Sequence, residues 1–200
     1  MTRRVAGLAP LVVGLLSPTV AHAHLVNSGL GPFYDGALHL LLSPMNLVLL
    51  AALCLLVGAQ GARAARSAMV VALVAWFVAG AFAISTDIVG PFAIVDAAGL
   101  LLLGVAIALD IRMPALATAA LATGVAAWLG FQSGQELISA DQHWRALVGA
   151  TSIAMMFMLL ALSLVVSATS FPARVVCRIL GSWAAATGLL SIGWLFSAGR

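Results

Sequence analysis

The chain has 200 residues, of which 64% are hydrophobic and 8% charged, with a formal net charge of +3 and a mean hydropathy of +1.17. A water-soluble domain carries roughly 25% charged residues, so this composition excludes one and points to a chain solvated by lipid. The basic balance reflects arginines standing between apolar blocks and does not signal a nucleic-acid partner.

Residues 1–23 read as a cleavable secretory signal. Arg3 and Arg4 form the positive start, Val5 to Leu16 the short apolar stretch, and Ala21-His22-Ala23 the small-x-small cleavage site. Pro18 breaks the helix just before that site, and an uncleaved anchor helix is the alternative. Cleavage would begin the mature chain, residues 24–200, at His24 outside the cytoplasm.

Six apolar blocks follow, expected as an all-α polytopic bundle of six transmembrane helices. They run from Leu38 to Gly58, Ser67 to Ser85, Pro91 to Leu109, Pro114 to Phe131, Ala146 to Ser167 and Val175 to Phe196. In lipid every backbone amide must be paired internally, which helices achieve. The absence of apolar/polar alternation argues against a barrel. Connections are short, so the spans predict one up-down bundle with no soluble domain.

Ser43-Pro44 interrupts the first block and predicts either a kink or a freed carbonyl that serves as an oxygen ligand. Recurrent glycines predict close helix approach, because small residues drive packing in lipid. Cys54 falls inside a span and Cys177 near a cytoplasmic loop, which argues against a disulfide between them.

Arginine placement orients the bundle. Arg63, Arg66, Arg112, Arg174 and Arg178 fall in alternate loops that share one side; Arg145 and Arg200 fall opposite. The positive-inside rule makes the arginine-rich side cytoplasmic. The mature N-terminus is then periplasmic, in a bacterial inner membrane, as the signal segment independently requires.

With that orientation, Asp35, Asp87, Asp96, Glu136 and Asp141 lie on or near the external side, together with His24, His39 and His143, while Asp110 is cytoplasmic. Carboxylates with neutral imidazoles suit a divalent transition metal such as nickel, copper or zinc. Asp35 and His39 are spaced i, i+4, so the carboxylate can orient the ring or share a cation, the alternative being an interfacial or capping histidine. Asp96 lies within the third span, where a carboxylate is a functional candidate; the alternative is an Asp bonded to a neighbouring helix.

Asn46 adds a polar side chain after Pro44. Glu136 closes a polar run, Gln132 to Glu136, that ends the fourth span either as an ordinary helix exit or as part of a site. His24, as a new N-terminus, would offer an amine and an imidazole to copper or nickel; the alternative is that it merely suits the cleavage site. Asp87 and Asp141 also read as solvated loop acids.

The Ala21-His22-Ala23-His24 run, the segment Gly31-Pro32-Phe33-Tyr34-Asp35-Gly36-Ala37-Leu38-His39 and Ser43-Pro44 resemble the HupE/UreJ family of hydrogenase and urease accessory proteins. These are small polytopic membrane proteins regarded as nickel permeases. Leu129-Gly130-Phe131-Gln132-Ser133-Gly134-Gln135-Glu136 is similar to the family's second signature, His-Gly-x-x-His-Gly-x-Glu, and Val95-Asp96 to the acidic residue of its middle span. The first signature, His-Pro-x-x-Gly-x-Asp-His, begins at His39, but Met45 and Asn46 occupy its Asp and second His positions. Leu129 and Ser133 stand at both imidazole positions of the second signature, which damages nickel selectivity in particular.

The resemblance implies a metal-cation permease or metal-delivery accessory protein, with a site built from Asp35, His39, Asn46, Asp96 and Glu136 and cations received first by His24. The alternative is a non-transporting scaffold that holds a metalloenzyme or maturation protein at the lipid bilayer. An enzyme is not expected, because HExxH, Walker A and GxSxG motifs are absent. No cofactor is fixed by the sequence; a transported or bound divalent metal, nickel, copper or zinc, is the candidate. One histidine near a span does not make a bis-histidine haem site.

Overall fold

Proline and glycine set the helix boundaries of this chain. The computed structural model describes residues 28–86, 92–138, 140 and 142–198; the signal segment, His24, Asp87 and Asp141 lie outside them. Among the described residues there are seven helices and no strand: α1 (Pro32–Leu42), α2 (Pro44–Ala59), α3 (Ala62–Ile84), α4 (Phe92–Ala108), α5 (Ala115–Glu136), α6 (His143–Ser167) and α7 (Phe171–Ala198). The chain is a multi-pass membrane protein.

The first expected span is not one continuous helix. It is divided at Ser43 into α1 and α2, which meet at 74°. Pro44 cannot donate to the carbonyl four residues back, and it disfavours helical geometry at the preceding residue. The open carbonyls are satisfied locally: the Ser43 amide donates to Leu40 O at 3.2 Å and its hydroxyl to His39 O at 2.9 Å.

α3, α5, α6 and most of α7 are long and apolar enough to cross a membrane, as is the bent α1–α2 pair if it counts as one span, giving four or five candidate crossings. α4 is shorter, at 17 described residues. The fourth span also ends later than expected. α5 continues through the polar run to Glu136 instead of leaving the helix near Phe131.

Helices adjacent in sequence are not the main packing partners. α3 lies against α5, α4 against α7 and α1 against α6, while α2 touches α3, α4, α5, α6 and α7. α2 suits that hub because it is apolar all round, burying Leu49, Leu50, Leu53, Cys54, Leu56 and Val57. The three pairs approach through small residues. A Cβ on Gly130 would stand 2.1 Å from Trp76 O, one on Gly36 1.9 Å from Ala146 O and one on Gly104 2.3 Å from the Ala185 amide. Gly124 and Gly193 face open space instead.

This arrangement gives the molecule two unlike ends. The ends of α2, α4 and α6 and the starts of α3, α5 and α7 gather Arg63, Arg66, Arg112, Arg174 and Arg178. α4 closes there with Asp110 left-handed (φ 51) and a hydrogen bond from Ile111 N to Ala106 O, a helix-ending motif that accounts for an acid at this end. The opposite end holds His39, Asp96 and Glu136.

Candidate metal-handling site

α5 organises the carboxylate end. Trp128, Gln132 and Glu136 follow one another at i, i+4 and i+8 and so share one helix face. Asp96 on α4 and His39 on α1 reach that face. The Trp128 indole Nε1 and the Gln132 amide each donate to Asp96 Oδ1 at 2.7 Å. One turn further on, His39 Nε2 lies 2.5 Å from Glu136 Oε2. The result is a polar seam along an otherwise apolar helix, joining α1, α4 and α5.

Burial separates the members of the seam. His39 is 6% exposed and Asp96 5%, whereas the Glu136 side chain is 37% exposed. A buried carboxyl must find hydrogen-bond donors, and Asp96 finds two. Among the described residues neither Asp96 nor Glu136 is paired with an arginine; the other close ion pair joins Arg112 to Asp110 at the far end. Among the described residues the seam therefore carries two acidic side chains with no arginine against them, and the His39 ring is the basic group that meets one of them.

The remaining expected site residues stand apart. Asp35 does not orient His39: its Oδ1 accepts from the Ser28 amide at 2.7 Å and the Ser28 hydroxyl at 2.5 Å. Asn46 is buried in the first turn of α2 but makes no side-chain hydrogen bond among the described residues. His24 lies outside them. No group of three or more His, Cys, Asp or Glu side chains among the described residues is arranged to hold a metal ion. The structure thus joins His39 to Glu136, sets Asp96 one turn away along α5, and leaves Asp35 and Asn46 unconnected to the pair.

Trp128 and Gln132 are the residues that sequence reasoning missed as partners. The available signal was the Trp-x3-Gln-x3-Glu spacing, which a helix turns into one face. Gln135, on another face, donates to Ala83 O and Thr86 O at 2.9 Å each and ties the end of α5 to the end of α3. Leu129 and Ser133, at the two imidazole positions of the second signature, are both buried. The Ser133 hydroxyl has no hydrogen-bond partner among the described residues, so this position is an unfilled polar spot in the packing.

In comparison with known families, residues 11–191 match the family model described as HupE / UreJ protein. No curated protein and no solved structure matches the chain.

Proposed function

The chain belongs to the HupE/UreJ family, which implies a nickel or cobalt transport or accessory role, and from that premise we propose that it is an inner-membrane permease passing a divalent transition-metal cation inward. The observation that carries this reading is the buried His39 ring against Glu136, on the helix face that also holds Asp96. Six crossings are proposed, the bent α1–α2 pair and α3 to α7, with the arginine end cytoplasmic. Cleavage after Ala23 would add the His24 amine and imidazole as a first contact for the ion, and N-terminal sequencing of the membrane-extracted protein tests that step.

The chemistry follows from the geometry of the pair. Imidazole and carboxylate oxygen suit a borderline divalent cation. At metal–ligand distances of about 2.0–2.1 Å, the two donor atoms would need to separate to roughly 3 Å. The cation therefore replaces the hydrogen bond between them, and binding releases any proton they share. Asp96, one turn away on α5, supplies the next carboxyl along the path. A pair of ligands holds an ion weakly enough to release it, and the membrane potential favours inward movement by about 2.3 kcal/mol per charge per 100 mV.

Uptake of nickel or cobalt into proteoliposomes tests this reading. His39→Ala and Glu136→Gln should each reduce metal-dependent uptake by about tenfold or more, the range typical of lost metal-site partners. Wild-type uptake in both variants would reject the pair as part of the path. A second reading is favoured by the lack of any three-ligand group among the described residues: a non-transporting scaffold for a metalloenzyme or its maturation protein. Metal titration of the purified protein separates the two, because a scaffold shows no saturable binding.

A further inference from the structure

The arginine end contains a half-enclosed cavity of about 270 Å³, bounded by the ends of α2, α4 and α6 and the first turns of α7. Ile111, Val165 and Val166 supply accessible apolar wall, and Arg112, Arg174 and Arg178 line the same cavity with Asp110 as the one acid among its described lining. The three arginines are not equally committed. Arg112 donates to Ala59 O and pairs with Asp110 at 2.9 Å. Arg178 uses Nε on Ala108 O at 2.9 Å, and its Nη groups make no hydrogen bond among the described residues. Arg174, one turn earlier on α7, makes no side-chain hydrogen bond among the described residues.

Two guanidinium groups at i, i+4 on one helix repel each other, and α7 contains no acidic residue to offset them. The nearest acid, Asp110, is taken by Arg112. The carbonyl ends of α2 and α4, which would otherwise repel an anion, are already covered by Arg112 and Arg178. What is left is a pair of forked donor sets facing a space with apolar walls at the edge of a helix bundle. Guanidinium forks match phosphate oxygens two at a time.

We propose that this cavity binds a phosphate group, held by Arg174 and Arg178. The apolar wall points to the headgroup of an anionic phospholipid, with an acyl chain against the Ile111, Val165 and Val166 side, as the occupant that brings it. Basic recesses between transmembrane helices recognise lipid headgroups through this combination of charge and apolar surface. The proposal is independent of the metal path at the opposite end.

The test uses full-length protein in nanodiscs of phosphatidylcholine, with phosphatidylglycerol added stepwise and retained lipid read by native mass spectrometry. Wild-type protein should retain phosphatidylglycerol saturably. Arg174→Gln should weaken that retention about fivefold or more, and the Arg174→Gln/Arg178→Gln double variant further still. Arg174 supports no other group through its side chain among the described residues, so its replacement should leave the fold intact, as thermal unfolding checks. The charge-matched double variant Arg63→Gln/Arg66→Gln should bind as wild type.

A parallel titration with inorganic phosphate distinguishes the source. Saturable phosphate binding that is lost in Arg174→Gln, without a preference for phosphatidylglycerol, keeps the site and assigns it to a soluble anion. Absence of saturable binding of either probe would overturn the proposal. So would equal loss in the Arg63/Arg66 variant, which would mean diffuse surface charge.

Discussion

At the carboxylate end, Asp96, Gln132 and His39 are buried and bond to side chains of other helices. At the arginine end, Arg112 and Arg178 stay exposed and bond largely to backbone carbonyls. Each end also has a glutamine clip: Gln135 ties α5 to the end of α3, and Gln60 ties the end of α2 to the α4–α5 connection through Ile111 O and Met113 N, at 3.0 Å each. The clips show that both ends need polar fastening. Among the described residues, the carboxylate end alone places acids and a histidine in buried side-chain pairs, where solvent cannot easily stabilise them. Burying such groups is costly in lipid, so it marks chemistry, whereas the bonds that Arg112 and the Nε of Arg178 make to helix-end carbonyls are ordinary capping.

The largest effects should come from the contact that holds the carboxylate end together. A methyl group at Gly130 would sit 2.1 Å from the Trp76 carbonyl, where rigid backbone must move. Gly130→Ala should therefore lower stability by at least about 3 kcal/mol, read by thermal unfolding in detergent. Gly124→Ala on the same helix meets nothing within 4 Å and should change stability by less than about 1 kcal/mol. Equal effects would show that the α3–α5 approach does not fasten this end.

Asp96 comes next. Asp96→Ala leaves the Trp128 and Gln132 donors without their acceptor, at a cost of about 2–4 kcal/mol for the two together. Asp96→Asn retains an oxygen acceptor, so its stability loss should be less than half of that. If Asp96 serves the cation path, the Asn variant nevertheless loses metal uptake. An Asn variant with normal uptake would reduce Asp96 to a packing role.

The helical membrane class could be read directly, because hydropathy identifies a span whatever its partners are. Pro44 also announced an interruption, although a proline alone does not tell a kink from a 74° break. The length of α5 was hidden for a physical reason. Gln132, Ser133 and Gln135 read as a helix exit, yet Gln132 and Gln135 find acceptors on α4 and α3, so the helix can continue in an apolar setting.

The partner of His39 was similarly hidden. Asp35 stands four residues before it, but the ring meets Glu136, 97 residues away. Apolar helices of similar composition do not encode which neighbour they choose. The pairing of α3 with α5 and α4 with α7 rests on where single glycines let backbones touch, a matter of register that composition does not carry.

Smaller effects should distinguish the two glutamine clips. Gln135→Ala and Gln60→Ala each remove two or more hydrogen bonds to backbone groups and should each cost about 1–2 kcal/mol. Their functional consequences should differ. Gln135 adjoins Glu136, so its loss should lower metal uptake as well as stability; loss of Gln60 should lower stability with uptake per folded molecule retained. Reversed outcomes would move the cation path away from the seam.

The smallest effect is expected at Arg112 and Asp110, whose side chains are 55% and 42% exposed. An ion pair at that exposure contributes about 0–1 kcal/mol, because solvent already screens both charges and both long side chains lose freedom on pairing. Arg112→Ala also releases Ala59 O, which water at the bundle end can satisfy. Asp110→Asn keeps a short polar side chain that tolerates the left-handed backbone there. Each variant should therefore cost no more than about 1 kcal/mol, and added salt should move wild type towards the variants. A loss above about 2 kcal/mol in either would mean that this pair is shielded from water as Asp96 is, and the two ends would then differ in charge sign alone.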